Sequence, residues 1–167
     1  MDPFEKETQI NHFADLCRDD VGMVRRIASH NLGNLLQNVV NTYGISALAK
    51  DGIVSTTLLP LYEELAVNEQ DSVRLQTTEN CVAFGNAISS IKEEDRKDLD
   101  ELEASMLIDR IIPLVVASID DRSWRVRWTA ASKFAEVVKA FFKLQGALDI
   151  LIPAYEKLLQ DPEAEVR

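Results

Sequence analysis

Residues 121–127, with the sequence DRSWRVR, are one of four related stretches that recur along this chain. The others are DDVGMVR at 19–25, NEQDSVR at 68–74 and DPEAEVR at 161–167. Each begins with Asp or Asn and ends with Val-Arg, and successive Val-Arg pairs are 49, 53 and 40 residues apart. Self-similarity at such a period is typical of a solenoid, in which each repeat stacks on its neighbours.

A proline keeps step with this motif. Pro60, Pro113 and Pro153 each stand 13 residues before the Val of their motif, and Asn11 occupies the equivalent place in the first unit. Apolar residues at helical spacing surround the motif, so each unit is predicted to be a helical hairpin with the motif at its turn. The interval of 40 residues falls in the range of HEAT and armadillo units, whereas ankyrin and tetratricopeptide periods are shorter.

The predicted fold is therefore an all-α solenoid, a single HEAT-type array over residues 1–167 with about three and a half hairpins. The units span approximately 5–40, 53–90, 104–142 and 147–167, of which the last is incomplete. The predicted first helices are 53–66, 107–119 and 148–159, and the predicted second helices are 72–88 and 123–142. The longer intervals predict connector insertions at 41–52 and 91–103, and the charged run in the second insertion predicts a solvated loop.

Local sequence predicts two further details of each hairpin. Ser72, Ser123 and Asp161 are predicted N-caps of the second helices, because their short side chains can accept a hydrogen bond from a free amide. The proline within each first helix removes a backbone donor, so it is expected to bend that helix over its partner.

Composition limits the class of partner. Asp and Glu number 28 against 18 Lys and Arg, which gives a net charge of -10 and opposes binding to nucleic acid or to an anionic membrane. No stretch has the length of a membrane span or a signal peptide. Cys17 and Cys81 lack CxxC spacing and are expected to be buried, reduced thiols. We therefore expect a soluble protein with protein partners, located in the cytoplasm or also the nucleus.

The chain carries little material for catalysis. It contains no P-loop, GxGxxG, GxSxG, HExxH or kinase signature, and its two histidines, His12 and His30, stand alone. We predict that it is not an enzyme and that it has no catalytic residues, no metal site and no cofactor.

The charged residues of the motif have a reason to recur together. The Arg lies in the first turn of the second helix, where the helix dipole disfavours a cation, so it is expected to have an acidic partner. In a stacked array that partner can be the Asp of a neighbouring unit, which predicts a ladder of charge-assisted hydrogen bonds along the turns. The predicted ladder residues are Asp19, Arg25, Arg74, Asp121, Arg127, Asp161 and Arg167.

The residues between Asp and Val form the tips of the turns, and they differ from unit to unit. Variable tips on a repeated frame are where binding specificity is expected. Trp124 beside Arg125 is the strongest signal, because these residue types are enriched in interface hot spots. Two interpretations of Trp124 stay open at this point: contact with a partner, or packing inward between units.

The sequence resembles the scaffolding (A) subunit of protein phosphatase 2A, a HEAT-repeat family. The resemblance rests on the strings LCRDDVGMVRR, NEQDSVRL, DRSWRVRW followed by ASKFAEV, and LIPAYEKLLQDPEAEVR. It implies that the turns of this region bind the regulatory (B-type) subunit, and that the catalytic subunit binds repeats absent from this chain. The partner contacts it implies are Met23, Arg26, Glu69, Gln70, Asp71, Trp124 and Arg125.

Two departures accompany the resemblance. Gly22 stands where the family usually has Pro, so the first tip is expected to be looser, and the two connectors are longer than the family's. The alternative function is that of a HEAT-repeat adaptor in transport or the cytoskeleton, without a phosphatase. Since the apolar face of Ile150, Leu151 and Leu158 is expected to be uncovered, the chain is expected to be part of a longer protein.

Overall fold

The computed structural model describes residues 3–90 and 101–167, with side chains at 8–90 and 108–167. All regular elements in these two ranges are helical. The α-helices are α1 (Pro3–Cys17), α2 (Gly22–Tyr43), α3 (Leu59–Ala66), α4 (Asp71–Arg74), α5 (Thr77–Ser89), α6 (Glu101–Ile119), α7 (Trp124–Phe141) and α8 (Ala147–Leu158). A 3-10 helix covers Gly44–Ala47, and a π-helical turn covers Val54–Leu58.

The helices form two layers. One layer contains the first helices of the hairpins, in the order α1, α3, α6 and α8, and each contacts the next. The other contains the second helices α2, α5 and α7, packed side by side in the same order. One continuous core lies between the layers and extends from Ile10 to Val166. Each unit therefore buries its apolar face against both its own partner helix and its neighbouring unit.

Helix α7 shows how sequence spacing produces this packing. Its buried residues recur at intervals of three or four and form one apolar stripe, which is the pattern of a helix with a single buried face. They are Val126, Ala130, Phe134, Val137, Ala140 and Phe141. Gly85 on α5 allows a close approach, because a Cβ there would come within 2.7 Å of Phe141 Cε2. The second helices thus pack closely at this point.

The prolines act differently in the three first helices. Pro113 and Pro153 lie within α6 and α8, with their exposed rings on the outer side. At Pro60 the predicted continuous helix over 53–66 is wrong, because a π turn, Val54–Leu58, precedes the α-helical part. A proline ring clashes with the carbonyl four residues earlier and offers no amide hydrogen, so the wider turn before Pro60 accommodates it.

The second helix of the second unit is also interrupted, although 72–88 was predicted to be continuous. Helix α4 ends at Arg74, and α5 begins at Thr77. The carbonyl of Val73 accepts from Ser29 Oγ on α2 at 3.4 Å, and the carbonyl of Thr77 accepts from the Tyr62 hydroxyl at 3.0 Å. Hydrogen bonds from neighbouring helices thus engage backbone carbonyls on either side of the break.

The predicted N-caps are corrected in the same region. Ser72 lies inside α4, which begins at Asp71. Ser123 stands at the N-cap of α7 but makes no capping hydrogen bond, because its hydroxyl donates to Asp71 Oδ2 at 2.9 Å. Asp161 is followed only by turns in this structure. The turn amides are satisfied instead by the first residue of the motif, as described below.

The connectors and the last helix add three observations. Helix α2 continues to Tyr43 and ends at Gly44, whose φ of 60° favours glycine. Of the predicted insertion at 91–103, residues 91–100 lie outside the described part, and the remainder begins α6. On α8, Leu151 and Leu158 are buried, contrary to the expected uncovered face, whereas Ile150 is exposed. Within the described ranges, we find no helix with the length and apolar character of a membrane span.

Candidate functional site: the turn ridge

The four turns 19–25, 68–74, 121–127 and 161–167 lie between the helices of each hairpin, and we call them together the turn ridge. In every turn the side chain of the first residue accepts a hydrogen bond from the amide two residues later. The pairs are Asp19 Oδ1 with Val21 N at 2.7 Å, Asn68 Oδ1 with Gln70 N at 3.1 Å, Asp121 Oδ1 with Ser123 N at 2.8 Å, and Asp161 Oδ1 with Glu163 N at 2.9 Å. The repeated Asp or Asn therefore closes the turn.

The repeated Arg stabilises the same turn from its other end. Each guanidinium donates from Nη1 to the backbone carbonyl of the residue that begins the motif. These bonds are Arg25 to Asp19 O at 2.9 Å, Arg74 to Asn68 O at 2.7 Å, Arg127 to Asp121 O at 2.9 Å, and Arg167 to Asp161 O. The repeated Val73, Val126 and Val166 are buried beneath the turns. The motif is thus a self-contained turn with an apolar anchor.

Two of the arginines also connect neighbouring units. Arg74 donates from Nε and Nη2 to the Asp121 carboxylate at 2.6 and 2.8 Å. Arg127 pairs in the same manner with Asp161 at 2.6 and 3.1 Å. Both pairs are largely buried, and bidentate pairs of this kind fix geometry as well as adding energy. We call each such pair a rung.

The rung between the first and second units differs, because Asn68 stands where the later units have Asp. A neutral amide cannot form the bidentate ion pair, so Arg25 Nη2 reaches the exposed Glu69 carboxylate at 3.2 Å instead. Arg25 Nε is buried and has no hydrogen-bond partner. The predicted ladder is therefore corrected here: Arg25 forms no rung with the first residue of the next motif. Asp19 and Arg167 bond within their own turns.

We expect Asn68→Asp to stabilise the fold by about 1 kcal/mol, because it supplies a carboxylate to the unpartnered Nε of Arg25. The aspartate can still accept the Gln70 amide, as its counterparts do. Urea unfolding of the variant measures the gain. The matched control is Asp121→Asn, which converts an intact rung into the first type and should lose stability. A gain that persists in an Arg25→Ala background would contradict this account.

Acid should weaken the intact rungs. The Arg127 guanidinium lowers the pKa of Asp161. For Asp121, burial acts to raise the pKa, but the Arg74 guanidinium and the Ser123 amide outweigh burial and hold it below its usual range. A carboxyl with a lowered folded-state pKa contributes stability above its unfolded pKa of about 4 and loses it as the pH falls through the folded value.

We therefore expect the free energy of unfolding to fall between about pH 4 and pH 2. The measurement is urea unfolding at a series of pH values. The Asp161→Asn variant should be less stable at neutral pH and should show a shallower fall in acid. An equal acid slope in both proteins would show that this rung does not contribute to the acid sensitivity.

The third tip exposes the residues that the sequence singles out. The Trp124 side chain is 43% exposed, so it lies on the ridge and is not packed between units. Arg125 is 64% exposed, lies 5.8 Å above the Trp124 ring centroid, and has Nη1 3.9 Å from Asp71 Oδ2. Trp124 and Arg125 therefore face outward together, while Val126 and Arg127 face the interior of the array.

The other predicted contact residues lie along the same ridge. Met23 and Arg26 are exposed at the first tip, and Glu69 and Gln70 are exposed at the second. Gly22 allows this arrangement, because a Cβ there would overlap the Gln70 side-chain amide. The first tip thus packs directly against the second. The ridge is a continuous surface on which each tip contacts the next.

Comparisons with known proteins agree with this architecture. Residues 111–141 match the HEAT repeat family model. This match covers α7 and the second half of α6, together with the turn between them. The prediction of an all-α, HEAT-type solenoid is confirmed.

The chain is also similar to three named proteins. A Caenorhabditis elegans protein, the "probable serine/threonine-protein phosphatase PP2A regulatory subunit", is 34% identical over 94 residues, which is 56% of this chain and 14% of the relative. The A-type regulatory subunit of protein phosphatase PP2A from Saccharomyces cerevisiae is 28% identical over 140 residues, or 84% and 20%. Its namesake in Schizosaccharomyces pombe is 27% identical over 137 residues, or 82% and 19%. The chain spans at most a fifth of these relatives' length, and the predicted resemblance is confirmed.

Sequence reasoning missed a second set of contacts between HEAT units, on the layer of first helices. Arg18 pairs with Glu64 at 2.7 Å, Arg110 with Glu63 at 2.6 Å, and Lys157 with Asp120 at 2.6 Å. These pairs are more exposed than the rungs, so each contributes less to stability. No repeated motif marks them in the sequence. They connect the same neighbouring units as the turn ridge does.

Sequence reasoning also missed Trp128, which lies one helical turn after Trp124 on α7 and is 47% exposed. Its spacing of four residues from Trp124 was a usable signal, because residues four apart lie on one helix face. Together with Leu75 and Glu165, the two tryptophans line a groove beside the third and fourth tips. The exposed aromatic surface is therefore larger than predicted.

The remaining titratable residues form no site in the described part of the chain. His12 is exposed, and His30 Nδ1 lies 3.1 Å from Gln76 Oε1. Cys17 and Cys81 are buried free thiols, and burial raises the pKa of Cys17 to about 12. No group of three or more His, Cys, Asp or Glu residues among those described could hold a metal ion.

Proposed function

We propose that this chain is a segment of a non-catalytic scaffold for a serine/threonine phosphatase of the protein phosphatase 2A type. In this proposal the turn ridge binds the regulatory, B-type subunit, and repeats outside this sequence bind the catalytic subunit. The observation that carries the proposal is the separation of roles at the third tip. Val126 and Arg127 hold the frame, whereas Trp124 and Arg125 are exposed on it.

The physical support is that the ridge is preorganised. Turn hydrogen bonds and the rungs fix the backbone under the exposed side chains, so little conformational entropy is lost when a partner binds. Trp and Arg are the side chains that most often dominate interface energy, and here they lie side by side. The similar proteins are named PP2A regulatory subunits, and two of the three are named as the A type.

The proposal assigns the chain no reaction of its own. The matched family is a repeat, and the similar proteins are named as regulatory subunits of a phosphatase. Binding by a surface of α-helical turns needs no cofactor. We propose the cytoplasm as the site of action, with the nucleus as a second location.

Affinity capture with the full-length protein, followed by mass spectrometry, tests the proposal. We expect a PP2A-type regulatory subunit and a catalytic subunit to be captured together. The isolated chain of 167 residues should bind purified regulatory subunit but not purified catalytic subunit. Capture of transport or cytoskeletal proteins without any phosphatase subunit would favour the adaptor function instead.

A further inference from the structure

The groove beside the third tip has features that the proposed function does not use. It has a volume of about 480 Å³ and extends across three HEAT units. Its lining residues are Leu75, Trp124, Arg125, Trp128, Thr129 and Glu165, and we call it the tryptophan groove. Its walls are mostly apolar, with one carboxylate, that of Glu165, at the side of the fourth tip.

The cations near the groove are already engaged elsewhere. Arg125 lies over Trp124 and faces Asp71 on the second tip. Arg122 Nη2 donates to the Glu69 carbonyl at 2.8 Å, also on the second tip. Both arginines of the third tip thus turn towards the second, away from the fourth. In the described part of the chain, Glu165 has no cationic partner.

We propose that the tryptophan groove binds an arginine side chain of a partner protein. The guanidinium would stack on the exposed face of Trp128 and donate two hydrogen bonds to the Glu165 carboxylate. An arginine fits this combination better than a lysine, because its planar group can stack on an aromatic ring and pair with a carboxylate at the same time. Apolar residues beside the arginine would contact Leu75 and the Trp124 edge. The inference deepens the proposed function, on which it rests, by stating what the regulatory subunit presents to the groove.

Charge complementarity favours this occupant over an apolar or acidic one. The tips of the ridge carry the carboxylates of Asp20, Glu69, Asp71, Glu163 and Glu165, and the chain has a net charge of -10. A partner arginine would therefore be attracted towards the ridge and would find a carboxylate that no described cation neutralises. An apolar side chain would cover the tryptophans but would leave Glu165 next to a dry surface, which opposes binding.

The chain's own fluorescence provides the assay, because both of its tryptophans line the groove. The probes are blocked pentapeptides, Gly-Leu-Arg-Leu-Gly and the same peptide with citrulline or glutamate at the centre. Citrulline keeps the shape of arginine without its charge. We expect the arginine peptide to bind at least about tenfold more tightly than either of the others.

Two variants of the full chain sharpen the test. Glu165→Gln should weaken the arginine peptide by roughly 3–10-fold and leave the citrulline peptide unchanged. Trp128→Phe should retain part of the affinity, since a phenyl ring is a weaker cation partner, and Trp128→Ala should lose at least about tenfold. Glu163→Gln, on the same tip but outside the groove, is the matched control and should change nothing. Circular dichroism verifies folding, and the glutamine variant decides the question if the alanine variant unfolds.

The outcomes separate this inference from the proposed function. Equal affinity for the arginine and citrulline peptides overturns the arginine site. A purified regulatory subunit that binds Glu165→Gln and Trp128→Phe as tightly as the unaltered chain also overturns it, while the proposed function stands. If the regulatory subunit does not bind the unaltered chain, the proposed function fails, and the peptide titration alone decides whether the groove selects arginine.

Discussion

The double variant Trp124→Ala, Arg125→Glu is expected to keep its fold and to lose at least about 2 kcal/mol of regulatory-subunit binding, as for a desolvated aromatic and arginine anchor. Both side chains are largely exposed and make no rung, so their removal leaves the frame residues Val126 and Arg127 in place. Helical circular dichroism measures the fold, and calorimetric titration with a purified regulatory subunit measures the binding. In the full-length protein, binding of the catalytic subunit should be unchanged.

The contrary outcomes are informative. If the double variant unfolds, Trp124 belongs to the packing between HEAT units despite its exposure in this structure. If it folds and binds the regulatory subunit with unaltered affinity, the ridge is not the contact surface and the adaptor function gains ground. Met23→Ala, an exposed residue two tips away, is a useful comparison, because its effect reports how far the contact surface extends.

Arg127→Ala is expected to destabilise the chain by roughly 1–3 kcal/mol, because it leaves the largely buried carboxylate of Asp161 without its bidentate partner. It also removes the hydrogen bond to the Asp121 carbonyl that closes the turn. Urea unfolding, followed by circular dichroism, gives the difference.

Two arginines on the same ridge are matched controls. Arg125→Ala should cost less than about 0.5 kcal/mol, because its side chain is exposed and its nearest carboxylate is 3.9 Å away. Arg25→Ala should cost less than Arg127→Ala, because Arg25 lacks the bidentate rung and pairs only with an exposed carboxylate. Equal losses for Arg127 and Arg125 would falsify the assignment of the structural arginine.

The ladder shows why part of this site was readable and part was not. That the repeated Arg pairs with an Asp of the next unit follows from the motif, and the structure brings together Arg74 with Asp121 and Arg127 with Asp161. The irregular step was also visible in the sequence, since Asn68 replaces an Asp there. It was not recognised because Asn and Asp close a turn equally well, and only the side-chain geometry shows the second role of the carboxylate.

The sequence by itself determined the helical class, the two-helix unit and the bonds within each turn. These features depend on apolar periodicity and on residues two to six positions apart, which adjacent residues in the chain impose directly. Only the tertiary structure decided which side chains of different units meet. The pairs Arg18–Glu64 and Glu63–Arg110, the π turn before Pro60 and the groove between Trp128 and Glu165 belong to this group. Most of these contacts join residues tens of positions apart, and their partners are set by how far each hairpin is shifted and rotated on the previous one, which is a property of packing that no local pattern encodes.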